Sequence, residues 1–339
     1  PPPPDWSYQI RSRVYYDPDP ATGLDRSLQN FIQALSYGQA NIAGDLFPTV
    51  SSDTDEINIP AMNSLPAGHG YTHLLAVLPH STGPNRGPFA FWNLPPVNGI
   101  TAWARVGLYD DPNFIFRQLV GVWGMETLHM TTQYADLYKV NPNLGAFDVM
   151  ADAFASVHAS AHTKQSMGWL RNGTIVLIRG GASTINLQAI GLHQPPPPDR
   201  ATAIEIRSNT GTSYFMAEAR TRCDQYERGN GPNQGIPQEA VIVYEVFATT
   251  TVFLRATLTV GQHYSNPAEG IAITNKAAIT GGFTVSVNKD VSAQCAVIKS
   301  DIADFQSDLK TEKDPIERRK ILQAIAQLEA QARNLGCPK

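Results

Sequence analysis

Apolar residues Leu24, Leu28, Phe31, Ile32 and Leu35 recur at helical spacing, so residues 25–35 read as a helix with one buried face. Before it, residues 8–16 alternate and are rich in strand formers, which predicts a strand. A second strand is predicted at 41–50. A third is predicted at 73–78, nearly all apolar, as a strand buried on both faces would be. Residues 79–113 carry many Pro, Gly and Asn and predict long loops around a short segment at 102–107. The run 114–131 holds no Pro, and Phe116, Leu119, Val120, Val122, Trp123 and Leu128 space as a buried helix. A further helix is predicted at 155–167.

After Trp169 the period changes. Asn172-Gly173 is a turn signal, and strands are predicted at 174–179, 184–187, 203–207, 213–220, 240–248, 251–259, 270–274 and 283–287. Short strands at that interval imply a β-sandwich or barrel. Prolines 195–198 read as a stiff surface loop. Beyond 290 helical spacing returns, in Val297, Ile298, Ile302, Phe305 and Leu309, then in Ile316, Leu322, Ile325, Leu328 and Leu335. Asp314-Pro315 breaks the first of these helices and suits the start of the second. An antiparallel hairpin of this kind brings Cys295 and Cys337 together at its open end, which predicts a disulfide; the alternative is two buried or unpaired thiols.

Length and composition narrow the class. A chain of 339 residues exceeds what one core usually holds. The pattern divides it into 1–170, 171–290 and 291–339. Net charge is −4, with no basic run before the final helices, which speaks against nucleic acid as a partner. No apolar stretch reaches the roughly 20 residues that span a bilayer. The start, Pro1-Pro2-Pro3-Pro4, lacks Met and fits either removal of a signal peptide or a trimmed boundary. Three cysteines allow one disulfide and leave one thiol, Cys223.

The candidate chemistry sits in the buried helix. Met125-Glu126-Thr127-Leu128-His129 places Glu126 and His129 three apart, on one helical face. In a zinc peptidase, HExxH sets two histidines at i and i+4 to share a metal, and the Glu activates the bound water. Here Met125 stands at the first ligand position, and a thioether is a soft, weak ligand for such a zinc. Alone, E-x-x-H on a helix more often marks a hydrogen-bonded pair than a metal site.

The surrounding segments, in order, resemble the immune-inhibitor-A-like metallopeptidases, a secreted zincin family. Ser36-Tyr37-Gly38 with Asp45-Leu46-Phe47-Pro48 is similar to that family's SYG segment. Residues 71–79 resemble its central strand. GVWGMETLHMTTQYADLY, 121–138, is similar to its HExGHxxGLxDLY. Phe147-Asp148-Val149-Met150 resembles the W-D-x-M segment that closes under the metal. Ser160-Ala161-His162-Thr163-Lys164 with Met167-Gly168-Trp169 resembles SAxxKxxLGW. Residues 214–220 and 240–246 resemble the strands of the following β-domain. The resemblance covers roughly 8–290. It implies an α+β fold: a zincin-like metallopeptidase domain, an antiparallel β-sandwich domain, then the C-terminal helical hairpin.

The departures from the family fall on its metal site. Met125 replaces the first histidine and Leu128 the small residue before the second. Thr131-Thr132-Gln133 stands where a Gly lets the chain turn. An extra residue precedes Asp136-Leu137-Tyr138, which leaves open whether Asp136 reaches the third ligand position. The expectation is therefore a secreted or extracellular pseudopeptidase (cell surface or periplasm included) with an eroded zinc site and no cofactor. It acts by binding a protein partner or by self-assembly, and the hairpin is an assembly or docking element whose apolar face needs either the body of the protein or another subunit to cover it. The alternative is an active metallopeptidase in which Glu126 is the base and zinc is held by His129, Asp136 and one of His158 or His162.

Other candidates carry less. His158 and His162 stand four apart and share a metal only if one helix holds both. His69, His73 and His80 cluster around a strand. No G-x-S-x-G is present. Cys223 follows Arg220 and Arg222, whose charge lowers a nearby thiol's pKa. Gly229-Asn230-Gly231-Pro232 lacks a phosphate-loop ending. Asn172-Gly173-Thr174 matches a glycosylation sequon. Phe89, Phe91, Trp92 and Trp103 are candidates for a partner-binding patch or for plain core packing.

Overall fold

A computed structural model describes residues 5–337 apart from 21, 48–49, 51–57, 82–86, 114–115, 172, 193–194, 210, 230 and 232. Asn172, Asn230 and Pro232, and part of the strand predicted at 41–50, thus lie outside the described residues.

The chain opens with two helices. The strand expected at 8–16 is instead helix α1 (Trp6–Tyr15). Its buried residues are Trp6, Ile10 and Arg13, one per turn, while Tyr8 and Tyr16 are exposed. A buried arginine hid the helical period. Arg13 donates to Asp17 at 2.7 Å, and its guanidinium lies over the Trp123 ring. Helix α2 (Leu28–Leu35) is capped by Ser27, whose Oγ accepts from Asn30 N. Leu28, Phe31, Ile32 and Leu35 are buried as expected, but Leu24 lies outside the helix and is exposed. Residues 41–47 form no strand. Side chains take their backbone carbonyls instead, Gln29 at Ile42 and Tyr15 at Gly44.

Helix α3 (Asn58–Asn63) leads to a small sheet of β1 (His73–His80), β2 (Phe89–Phe91) and β3 (Ala102–Tyr109). The order is β1-β3-β2, with β1 parallel and β2 antiparallel to β3. As an edge strand, β1 is half-buried along most of its length rather than buried on both faces. The strand with two covered faces is the central one, β3, where Ala104, Val106 and Leu108 are buried on one face and Trp103 and Gly107 on the other.

Helix α4 (Val120–Thr132) starts later than the pattern suggested, and Phe116 is exposed ahead of it. Residues 120–130 are buried on every side. A side chain at Gly124 would put Cβ 2.4 Å from Phe31 Cε1, so glycine lets α2 and α4 approach. The helix expected at 155–167 shrinks to α5 (Ala161–Ser166). Side chains occupy the backbone ahead of it. Asp148 accepts from Ser160 N, and Glu227 from His158 N.

The remainder is β4 (Ile175–Ile178), β5 (Gly181–Gln188), β6 (Arg200–Ala201), β7 (Ala203–Arg207), β8 (Tyr214–Arg220), helix α6 (Gln225–Arg228), β9 (Ala240–Ala248), β10 (Thr251–Leu258), β11 (His263–Asn266), β12 (Ile271–Ile279) and β13 (Gly282–Lys289). Two five-stranded sheets result, β10-β9-β8-β7-β4 and β11-β12-β13-β5-β6. They share a core that includes Ile204, Phe215 and Val243 of the first sheet and Leu187, Ile273 and Val285 of the second. The sandwich is not wholly antiparallel as expected, because β4 runs parallel to β7 and β6 parallel to β5. On its other face the first sheet contributes Met216, Ile242 and Tyr244 to one hydrophobic cluster with Phe31, Trp123 and Met125. That cluster therefore runs across residue 170.

Helices α7 (Ser292–Thr311) and α8 (Pro315–Leu335) form the predicted hairpin, and Cys295 and Cys337 are joined by a disulfide with Cα atoms 5.5 Å apart. Asp314 caps α8 by accepting from Ile316 N. Two expectations about its faces change. Val297, Ile316 and Leu322 are exposed rather than inward. The less exposed positions include 295, 298, 302, 305 and 309 on α7 and 321, 325, 328, 332 and 335 on α8, with 294, 301, 317, 324 and 330 beside them. The first two series run in alternating three- and four-residue steps, the seam of a two-helix coiled coil, and the two helices pack on each other. The apolar face that needed covering is covered within the hairpin. No helix among the described residues is long and apolar enough to cross a membrane.

Candidate site at the end of the buried helix

The last turns of α4 position the motif. Glu126 and His129 are both buried. Met125 and Leu128 belong to the hydrophobic cluster that holds Phe31 and Trp123. Met125, at the place of the motif's first histidine, is thus part of the core. After Thr132 the chain turns at Gln133, which takes the left-handed conformation with φ 59° that a glycine would adopt more cheaply. Gln133 and Asn93 exchange two amide hydrogen bonds, at 3.0 and 3.1 Å, which tie this turn to the loop after β2.

That turn brings Asp136 back to the helix. His129 Nε2 lies 2.9 Å from Asp136 Oδ1, and Nδ1 is hydrogen-bonded to the Tyr134 carbonyl. A carbonyl and a carboxylate only accept, so the two bonds together require a proton on each ring nitrogen. The pair is imidazolium and carboxylate. Burial pulls the imidazole down, but Asp136, the Tyr134 carbonyl and Glu126 outweigh it and hold His129 above its ordinary range. Burial pushes Asp136 up, and the bond and charge of His129 bring it below the usual carboxylate range. Trp92 stacks on the imidazole with ring centroids 5.9 Å apart. Burial, then the bond to Asp136, push the Tyr138 phenol up to about 12.

Glu126 differs from its neighbours. Its carboxyl makes no hydrogen bond among the described residues. Burial and the charge of Asp136 push it up to about 7, against the opposing pull of His129 and Arg105. It is a buried carboxyl poised to change charge near neutrality, the property of a general acid or base.

The remaining histidines do not converge on this site. His158 precedes α5 and bonds Asp224 through Nε2 at 2.7 Å, with Lys164 at its Nδ1. His162 lies on α5 and bonds Tyr214 and the Thr249 carbonyl. Their four-residue spacing therefore puts no two rings on one point. His69 meets Asn98, and His73 meets Thr72. Among the described residues no three of His, Cys, Asp and Glu gather as a metal group requires. Burial pushes the Cys223 thiol up to about 12, opposite to the shift its arginine neighbours suggested. Of the four aromatic candidates, Trp92 alone stacks on His129. Phe89 and Phe91 are exposed and pack near Trp103, which is buried.

The sequence reading missed a second buried charged group. Arg220 is wholly buried on β8 and uses all five of its N–H bonds, on Glu227 (twice), Glu218, the Phe147 carbonyl and the His158 carbonyl. Glu218 also accepts from Ala161 N at 2.6 Å and Tyr244 OH at 2.8 Å. Nearby, Lys164 donates to the Leu35 carbonyl and lies 4.0 Å from the centre of the Tyr37 ring. Burial and the charge of Arg220 push its amine down to about 7. The strand pattern of β8 is the only local signal for this group: Glu218 and Arg220 alternate with apolar neighbours on a strand buried throughout its second half.

Comparison with known proteins adds no identity. No family model, no curated protein and no solved structure matches this chain.

Proposed function

We propose that this chain is a metallopeptidase-like protein of the zincin type whose zinc site is eroded, acting outside the cell as a binding or structural component rather than as a peptidase. The observation that carries this reading is the state of His129. Both ring nitrogens are committed to acceptors, the Tyr134 carbonyl and Asp136. A zinc ligand needs a neutral ring with a free lone pair. The donor set does not fit a catalytic zinc either. Met125 offers a thioether and is packed in the core. His129 and Asp136 hold each other, which leaves two donors where a catalytic zinc takes three protein ligands. The buried helix beneath a small mixed sheet, and Asp148 anchoring Ser160 and Thr163 beneath it, support the kinship in fold. The Cys295–Cys337 disulfide is consistent with an oxidising compartment.

The test is metal content and peptide cleavage measured on the purified chain after exposure to zinc. We expect less than a tenth of an equivalent of bound zinc, by order of magnitude, because a two-donor site is weak, and no cleavage. One tightly held zinc that His129→Ala removes, with cleavage that Glu126→Gln abolishes, overturns the reading. Met125→His is the companion test. No gain in zinc binding then shows that the site is lost beyond one residue.

A second reading has one observation in its favour. Glu126 is buried, makes no hydrogen bond among the described residues and sits near pH 7. That suits a general base in an active enzyme with a non-standard ligand set. For assembly, the C-terminal hairpin is the candidate element, since Val297, Ile316 and Leu322 are exposed on it. Sizing the chain with and without residues 291–339 tests it, and identical monomeric behaviour counts against that role.

A further inference from the structure

The first sheet carries, on the face turned toward α5, an open cleft of about 350 Å³. We infer that this cleft binds a short neutral saccharide. Its volume falls within the range of small-molecule sites, roughly 300–1,000 Å³.

The floor follows from strand register. Arg207 on β7 pairs with Tyr214 on β8, and Tyr214 with Val246 on β9. Glu205, two residues before Arg207 and so on the same side of β7, is joined to it by an ion pair at 3.1 Å. His162 forms the wall. It is buried, and its Nε2 is bonded to the Thr249 carbonyl at 2.8 Å. A carbonyl only accepts, so Nε2 carries the proton. Nδ1 then accepts from Tyr214 OH at 2.9 Å. Burial holds the imidazole below its ordinary range, in keeping with a neutral ring. Tyr134 OH donates to the same Thr249 carbonyl, at 2.8 Å. The phenol of Tyr214 is therefore held in place before any ligand arrives, and its oxygen lone pairs remain to accept.

These features select the ligand class. The charges of Glu205 and Arg207 cancel and His162 is neutral, so the lining gives no net attraction to an ion. The carboxylate and the guanidinium each present coplanar hydrogen-bonding atoms, which match adjacent hydroxyls that both donate and accept. Val246, Ala248 and the Tyr214 ring form an apolar strip beside them, suited to the C–H face of a pyranose. Tyr134 links the cleft to the His129 site through the Thr249 carbonyl, but the cleft needs neither metal nor peptidase ancestry, so it stands or falls separately from the reading above.

The test is saturation-transfer NMR on the full chain with glucose, galactose, mannose, N-acetylglucosamine and the disaccharides maltose, cellobiose and chitobiose. At least one should show saturable transfer. Arg207→Ala, at a side chain 61% exposed, and Glu205→Gln should each weaken it roughly tenfold, the loss of a charged hydrogen bond, with an unchanged melting temperature. Absence of transfer from every sugar overturns the inference. So does transfer that survives both substitutions, or binding of glycine and short peptides in their place.

Discussion

Two of the charged clusters that the protein buries are built on opposite terms. Around Arg220 every donor has an acceptor, and Glu218 and Glu227 receive backbone as well as guanidinium bonds. Around His129 the imidazolium and Asp136 are matched, but Glu126 beside them makes no hydrogen bond among the described residues. A satisfied buried network fixes structure, since nothing in it is left to react. A largely buried carboxyl with no protein partner costs stability, and a fold tolerates that cost where the group serves some purpose or where a past purpose has left it behind. The first cluster joins the segment before α5 to the strands of the first sheet. The second holds one turn at the end of α4.

The largest effect should come from breaking the satisfied cluster. Arg220→Met leaves Glu218 and Glu227 buried without their cation. A loss of about 3–5 kcal/mol is expected, the scale of removing one partner from a buried ion pair. Chemical denaturation at pH 7 measures it. A loss below about 1 kcal/mol would show that the carboxylates simply take up protons, and would remove the distinction between the two clusters.

Lys164 sharpens the contrast through pH. Its amine is depressed to about 7 by burial. Between pH 7 and the ordinary lysine value near 10.4 the unfolded chain binds a proton that the folded chain lacks, so stability rises with pH across that window. The rise is expected to reach about 4–5 kcal/mol over the whole window, about 2 of it between pH 7 and 9, and Lys164→Met should not show it. Parallel slopes for both proteins between pH 7 and 9 would refute the depressed amine.

How much of this was legible in the sequence depended on distance along the chain. Glu126 and His129 lie one helical turn apart, so their shared face was readable. The Cys295–Cys337 pair followed from two amphipathic helices and a proline break. Helix α1 was misread because Arg13, a residue that normally signals surface, faces inward onto Asp17 and Trp123. The Arg220 cluster was missed for the same reason on a larger scale: its members come from Phe147, His158, Glu218 and Glu227, and no local period links them. The cleft depends on the register of β7, β8 and β9, which a strand pattern leaves undetermined.

At the second cluster, Glu126→Gln should stabilise. The carboxyl stays protonated in the fold up to about pH 7 but ionises in the unfolded chain from pH 4–5. Stability therefore falls as pH rises through that window, and the glutamine variant escapes the fall. The expected gain is about 3 kcal/mol at pH 8 and none at pH 4, read from denaturant midpoints. An unchanged or lower stability at pH 8 would mean that Glu126 is held by a partner after all, and would make the two clusters alike.

The smallest effect tests whether His129 and Asp136 act as a structural clasp. Asp136→Asn keeps the shape and an acceptor but removes the charge that holds the imidazolium. Asp136 is partly exposed, so solvent screens the pair and a loss of about 1 kcal/mol is expected at pH 6. His129 is the group whose pKa is raised in the fold, so the pair's contribution is complete below the ordinary histidine value of about 6.5. It disappears as pH rises through the folded value. The variant and the parent should therefore differ at pH 6 and converge at high pH. If the difference instead grows with pH, the ring is neutral in the fold with a lone pair to spare, and the case against a metal at His129 loses its foundation.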